Sequence, residues 1–247
     1  MSKFSMSVNL ADLLGGEYRL DAGFYATDVA RANATLNAFA QNGGELATVG
    51  ELSSGTFNPP PIKRVFTDDE KKGTPYMLPQ EMYDFYWRPK KYVLTDRMPD
   101  IGDWFLHAGW VVLSQSGTVG KPYFATRADE KVVLSQNAIR VPTKDPEDGG
   151  FLYAYLSTWI GQALLRKDKF GITVKHIRPH QVDSVTVPVV DKRKRARISS
   201  LVKESFELRA RAIALLDQAK KEIYSELGAP ERIDESDNVP DDADVDV

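Results

Sequence analysis

From Lys192 to Leu227 the chain carries about 36 residues with the marks of one helix, roughly 54 Å long at 1.5 Å per residue. Asp191 supplies an acceptor for the first free backbone amides, and Gly228-Ala229-Pro230 stops the run. Along it Ile198, Leu201, Ser205, Leu208, Ala212, Leu215 and Ala219 recur in alternating steps of three and four, with Val202, Phe206, Ile213, Leu216, Ile223 and Leu227 as a second line beside them. So wide a stripe over such a length exceeds what a domain of this size covers by itself, which predicts a partner helix. The competing arrangement folds the helix back on its own domain. Beyond Pro230 the chain is acidic and poor in apolar residues, a composition expected to stay disordered.

The 247 residues suffice for one large domain, or a domain with an appendage, and for a sizeable core. The absence of cysteine excludes thiolate catalysis, zinc-thiolate sites and redox switching. The three histidines, His107, His176 and His180, make no HxH or HxxxH pair, so no metal site and no cofactor is expected. No apolar run approaches the ~20 residues needed to cross a bilayer, and the first ten residues lack a signal-peptide layout, so a cytoplasmic location is expected. Charge is unevenly placed. The tail from Glu231 holds eight acids against one base, a formal -7 out of the total -3, which leaves +4 on the rest. That mild basicity is compatible with nucleic acid without demanding it.

Residues 8–14 can form a short helix, and residues 29–40, Ala-rich and closed by Gly43-Gly44, a second one with Asp28 as its cap. Residues 46–63, punctuated by Ser53-Ser54-Gly55 and Asn58-Pro59-Pro60-Pro61, read as a strand and an ordered loop rather than helix. A charged turn at 67–72, a strand at 73–78 and a helical turn beginning at Pro79 follow. Tyr83, Phe85, Tyr86 and Trp87 sit beside Arg88, Lys90 and Lys91; a half-buried aromatic face is the commoner use of such a cluster, stacking on nucleotides the rarer one. Residues 92–94 and 104–113 read as strands, and 131–134 with 137–141 as a further strand interrupted at Ser135-Gln136-Asn137. Gly149-Gly150 ends a loop, residues 151–166 form an amphipathic helix, and 172–176 follow Gly171. A helical turn at 178–182 precedes a strand at 185–190 whose Pro188 suits an edge.

Within this order Trp110 to Phe124, WVVLSQSGTVGKPYF, stands out as a hairpin with a polar tip. Gly117 and Gly120 let the backbone approach another molecule closely, while Gln115, Ser116, Thr118 and Lys121 offer groups suited to phosphates and base edges. Gly-, Ser- and Thr-rich turns are also ordinary features of β-containing domains.

Three enzymatic patterns fail on their details. Asn58-Pro59-Pro60 copies the start of the loop with which amino-methyltransferases hold a flipped adenine, but Pro61 offers no aromatic face, and no Gly-rich turn for S-adenosylmethionine follows a strand. Pro99-Asp100 with Asp129-Glu130-Lys131 satisfies a permissive Mg²⁺-nuclease pattern in segments that read as turns. The serines near the histidines lack a nucleophile elbow, and His107 between Trp104 and Trp110 reads as a packed residue.

Arg19-Leu20-Asp21-Ala22 with Phe24-Tyr25, the hairpin from Val111 to Gly120, and Ser135-Gln136-Asn137 before a strand resemble the target recognition domain of type I restriction-modification specificity (S) subunits. Phe151 to Leu156 with Gly161-Gln162, Gly171 with Thr173, and Val185 to Pro188 leading into a long helix extend the resemblance over about residues 18–227. It implies an α+β fold: a mixed α/β recognition domain, residues 1–190 with an N-terminal helical segment, then a coiled-coil-forming helix over 191–228 and an acidic tail over 229–247. It further implies a subunit that does no chemistry, reads double-stranded DNA and docks methyltransferase subunits, with restriction subunits as further partners.

The resembling family has two recognition domains and two spacer helices per subunit, whereas this sequence shows one of each. A half-length form is therefore expected to act as a homodimer, its helices antiparallel and its two domains reading a two-part site. The helix residues expected at that contact are Ile198, Leu201, Val202, Phe206, Leu208, Ile213, Leu215, Leu216 and Ile223. The expected DNA contacts are Gln115, Ser116, Gly117, Thr118 and Lys121 at the hairpin tip, Gln136 and Asn137 beside it, and Lys175 and His176 at the backbone. Tyr76 and Gln80 join them as further base contacts. A coiled-coil adaptor without DNA readout and a small Mg²⁺-dependent nuclease are the alternatives.

Overall fold

A computed structural model of the chain describes residues 27–98, 100–167 and 176–230. The expected N-terminal helix, the motif at 19–25, the segment 171–175 with Lys175, Pro99 and the tail from 231 lie outside the described residues. In chain order the elements are α1 (Thr27–Gln41), β1 (Glu45–Thr48), α2 (Val49–Leu52), β2 (Phe66–Thr67), β3 (Thr74–Met77), β4 (Tyr92–Val93), β5 (Val111–Ser114), β6 (Pro122–Phe124), β7 (Val133–Leu134), β8 (Ala138–Val141), α3 (Pro146–Ser157), α4 (Trp159–Lys167), α5 (Pro179–Asp183), β9 (Thr186–Val189) and α6 (Lys192–Leu227). This is a mixed α+β fold with a long C-terminal helix, as expected. The chain divides into two compact units, Met1–Phe206 and Glu207–Val247, the division falling inside α6.

The first unit is organised on β5, whose four residues are all buried. β5 pairs antiparallel with β6 on one side and β8 on the other. Alternate side chains leave opposite faces of a strand, and here each face has its own core. Val111 and Leu113, with Ile139 and Val141 of β8, enter a helical core holding Leu36 of α1, Leu152 and Leu156 of α3, Leu164 and Leu165 of α4 and Val182 of α5. Val112 and Ala138 enter the opposite cluster with Met77, Leu106, Tyr123 and Leu134. A strand covered on both sides needs a continuous apolar run, and Val111-Val112-Leu113 supplies it. A four-stranded sheet, β2-β4-β3-β7, surrounds a third cluster at Val93, Trp104 and Val133. β1 and β9 form a separate antiparallel pair in which Leu46 faces Pro188, consistent with an edge position.

Several local readings change. Residues 104–113 are not one strand: Ile101–Trp104 is a 3-10 turn, Phe105 makes an isolated bridge to Val133, Gly109 sits at φ 91, and the strand itself begins at Val111. The run 131–141 serves two sheets, β7 lying parallel to β3 and β8 antiparallel to β5, with the turn at 135–137 carrying the chain between them. Residues 49–52 form one helical turn where loop was expected, held by a reciprocal cap between Thr48 and Glu51. Asp28 lies in the first turn of α1, where its charge suits the helix dipole, rather than before it.

The helix expected over 151–166 starts five residues earlier and is broken. Asp145 caps Pro146–Ser157 by accepting from Glu147 N at 2.9 Å. At Thr158 the chain turns into α4, with the Thr158 hydroxyl donating to Tyr155 O at 2.7 Å and accepting from Gly161 N at 3.2 Å. Gly149 and Gly150, read as loop residues, lie inside α3. A Cβ on Gly149 would collide with the Gly109 carbonyl, and one on Gly150 would come within 2.7 Å of Ser199 Cα, so both glycines permit close backbone approach.

The opening of α6 belongs to the first unit. Asp191 accepts from Lys194 N at 2.9 Å as the expected cap, and Arg195 meets the buried Asp148 at 2.6 Å. Ile198 packs against the helical core and Ser199 is buried. Phe206 places its ring edge-on to Tyr123, Phe124 and Tyr153, with centroids 5.3–5.8 Å apart. Ile198 and Phe206, expected at the dimer contact, are thus spent on their own domain, because the facing strand and helix offer aromatic partners. Val202 is half-buried, while Leu201 is 58% exposed. In the second unit α6 continues to Leu227, and Gly228 ends it at φ 61. There Leu208, Leu215, Leu216, Ile223 and Leu227 are exposed and Ile213 is half-buried. No described helix is long and apolar enough to cross a membrane.

Candidate nucleic-acid interface

The hairpin tip is held from inside and open outside. Gly120 N donates to Ser114 O at 2.9 Å and Lys121 N to Ser114 Oγ at 3.1 Å, while the Ser114 hydroxyl donates to the Thr118 carbonyl. Gly117 at φ 70 and Gly120 at φ 75 occupy the left-handed region, which other residues adopt at a cost. From below, Gln162 of α4 donates to Gly120 O at 2.8 Å, and Val119 is buried. Gly117, Thr118 and Lys121 remain exposed, and Gln115 and Ser116 are half-buried. The tip is a fixed polar surface, not a piece of core.

Two distant segments converge on it. Ser116 forms an antiparallel bridge with His176, and Ile177 N donates to Gln115 O at 3.2 Å. Asn58 reaches from the loop after α2: its Nδ2 donates to Ala138 O at 2.8 Å, to Gln136 O at 2.9 Å and, more weakly, to Gln115 Oε1 at 3.4 Å. Gln136 is half-buried and Asn137 exposed. The fold therefore gathers Gln115, Ser116, Gln136, Asn137 and His176 from three separate stretches. Lys121 adds a cation whose Nζ lies 3.9 Å from the Tyr83 ring centroid, and the Tyr83 hydroxyl donates to Lys121 O at 2.6 Å. Burial pushes the Tyr83 hydroxyl up to about 12, with hydrogen bonding at Ser114 offsetting part of the rise.

Two expected contacts are placed differently. Tyr76 is buried, edge-on to Phe66 with its hydroxyl accepting from Arg64 Nη1 at 3.0 Å, so it presents no surface to a ligand; the strand β3 turns it into the third cluster. Gln80 is exposed beside the 3-10 turn Glu81–Tyr83, and no hydrogen bond among the described residues joins it to the tip. Asn58 and Tyr83 were missed as parts of the site. The signal for Asn58 was present, since a following proline holds it extended while its amide must find partners.

Asp129 is buried and accepts from Tyr123 Oη at 2.8 Å and from Thr126 N and Oγ1 at 2.7 and 2.8 Å, reaching back to Thr126, the cap of the turn Arg127–Lys131. Asp100 is exposed at φ 58. His107 packs on Trp110 with ring centroids 4.5 Å apart. Among the described residues no three His, Cys, Asp or Glu side chains group to hold a metal ion.

No protein-family model matches the chain, and no curated protein matches it. Among solved structures it is similar to the type I restriction-modification system S subunit from M. genitalium, at 16% identity and a TM-score of 0.46 over 74% of this chain and 44% of that one. It is similar also to the HsdS subunit from Thermoanaerobacter tengcongensis, at 16% identity and a TM-score of 0.46 over 72% of this chain and 40% of that one. A third likeness is to the type IIG restriction endonuclease BpuSI, at 10% identity and a TM-score of 0.46 over 78% of this chain and 30% of that one. The chain spans less than half the length of each of these structures.

Proposed function

We propose that the chain is the sequence-specific DNA-recognition subunit of a restriction-modification system, non-catalytic in itself. The observation that carries this reading is the convergence of Gln115–Thr118, Gln136-Asn137 and His176 on one polar face, fixed by Asn58 and flanked by Lys121. Fixed amides read base edges, and an exposed cation beside them meets phosphate. The sequence resemblance to S-subunit recognition domains supports the same role for residues 1–190. On this reading the helix 191–228 spaces and joins two copies through Leu201, Leu208, Leu215, Leu216 and Ile223, so that a homodimer reads a two-part site and docks methyltransferase subunits, and with them restriction subunits.

The test is a gel shift on random and selected duplexes across a salt series, combined with size measurement and co-purification from the native host. Binding that weakens with salt and favours particular duplexes, by a protein that carries a methyltransferase with it, is the expected result. An absence of DNA binding at low salt leaves the adaptor alternative in its place. Mg²⁺-dependent cleavage by the unaltered protein would sink the non-catalytic reading.

A further inference from the structure

The orientation of Gln115, one glutamine of the polar face, is set by Asn58. Its Nδ2 faces the carbonyls of Ala138 and Gln136 at 2.8 and 2.9 Å, so its amide is held with nitrogen inward, the reverse orientation bringing oxygen against oxygen. That nitrogen also faces Gln115 Oε1 at 3.4 Å. Turning the Gln115 amide over would set one NH₂ group against another, so the Gln115 oxygen stays inward. The Gln136 Oε1 is buried without a hydrogen-bond partner, so no donor among the described residues fixes the direction of that amide. Among the described residues the Gln115 Nε2 makes no hydrogen bond, and Gln115 itself is half-buried rather than enclosed. Lys121 beside it is a donor only.

From this we infer that the face reads hydrogen-bond acceptors, and that its preferred base is guanine, whose major-groove edge offers O6 and N7 and no donor. Adenine is the usual partner of a free glutamine, because it gives N6–H to the amide oxygen and takes a bond at N7. Here the Gln115 oxygen is committed inward and that paired contact is lost. Phosphate oxygens share the acceptor chemistry and are the other source of such a ligand. The inference rests on the DNA-recognition reading and deepens it, with Asn58 acting as a positioning residue through Gln115.

The full-length protein selects duplexes from a random pool, and the enriched site is then rebuilt with altered bases. The expected result is a guanine at a selected position whose replacement by 7-deazaguanine lowers affinity about tenfold, well within the discrimination of one base contact. Methylphosphonates at the flanking linkages should not reproduce that loss; if they alone weaken binding, the face holds phosphate and the guanine assignment falls. A required adenine whose 6-amino group cannot be removed without a similar loss overturns the orientation argument and leaves DNA reading intact. No binding to any duplex at low salt overturns the DNA-recognition reading itself. Two variants, each checked by its melting temperature, give a second measure. Gln115→Glu should exchange guanine for cytosine at one position, because a carboxylate accepts from cytosine N4. Asn58→Ala should narrow the guanine-over-adenine ratio by releasing Gln115, and an unchanged ratio in both folded variants refutes the inference.

Discussion

Lys121 Nζ lies over the Tyr83 ring while the Tyr83 hydroxyl bonds the Lys121 carbonyl, so one aromatic residue steers both ends of the lysine. The side chain is exposed yet pre-aimed, which suits a contact to a duplex backbone. Lys121→Ala is expected to weaken selected and scrambled duplexes alike and to reduce the slope of log affinity against log salt by about 0.9, the value for one phosphate. Titrations on both duplexes at several salt concentrations check this. A loss confined to the selected duplex would place Lys121 on a base instead.

Arg140 is wholly buried, its guanidinium directed at the carbonyls of Leu134, Ser135, Ala138 and Trp104 at 2.6–3.5 Å. Burial pulls it down to about 9, against the pull of the nearby Tyr76 and Asp103 in the other direction. The side chain ties the turn 135–137 to the 3-10 turn at Trp104, and so holds Gln136 in place. Arg140→Met keeps the bulk but takes the guanidinium donor from the Leu134 and Ser135 carbonyls, each at roughly 1–3 kcal/mol, while Ala138 O keeps its bond from Asn58. A loss of about 3 kcal/mol or more is expected in urea unfolding, with Arg140→Lys recovering only part of it.

Tyr83 and Tyr155 are both pushed up to about 12 by burial, the Tyr155 hydroxyl also donating to Thr186 O at 2.8 Å. In the unfolded chain each would ionise near its ordinary value of 10.0. The folded state therefore holds the protons longer. Stability is complete below pH 10 and falls as pH rises toward 12, by at most about 3 kcal/mol per tyrosine before solvent screening reduces it, each tenfold gain in proton affinity being worth about 1.4 kcal/mol. Urea melts at successive pH values should show this decline, and Tyr155→Phe should flatten it. A curve unaffected by that substitution would mean Tyr155 is not the group responsible.

The hairpin and its place at the centre of the fold were legible because an uninterrupted apolar run followed by Ser, Gln and Gly has few other uses. α6 was legible to the residue, since Asp191 and Gly228 mark its ends by local chemistry alone. What was hidden depended on approach between distant parts. Nothing within 131–141 says that β7 and β8 join different sheets, as that follows from partners at Tyr76 and Val111. Gly149-Gly150 reads as a loop until Gly109 and Ser199 are seen against it. The helix stripe at 198–206 looks the same in sequence as the stripe beyond it, and only the facing rings of Tyr123, Phe124 and Tyr153 distinguish them. Asn58 was the largest omission of the site, since its partners lie 57 to 80 residues away.

That distinction along α6 gives the sharpest separation of roles. Phe206 packs, half-buried, against aromatic residues of the first unit, so Phe206→Ala should cost about 1–2 kcal/mol, part of the cost for a fully buried ring, and lower the melting temperature of the domain. Leu208 and Leu215 are each more than half exposed. A double substitution, Leu208→Gln with Leu215→Gln, removes apolar surface without opening a cavity in the first unit, and should leave the domain's unfolding in urea nearly unchanged. If the stripe joins two copies, the same variant should move the protein from dimer to monomer in sedimentation at micromolar concentration. On a two-part duplex it should then bind as a single copy does to one half, with the apparent affinity falling by the loss of the linked second contact, about 10²-fold or more. A wild-type protein that sediments as a monomer, or a double variant that remains dimeric, assigns the stripe to a different partner and with it removes the reading of two half-sites by paired copies.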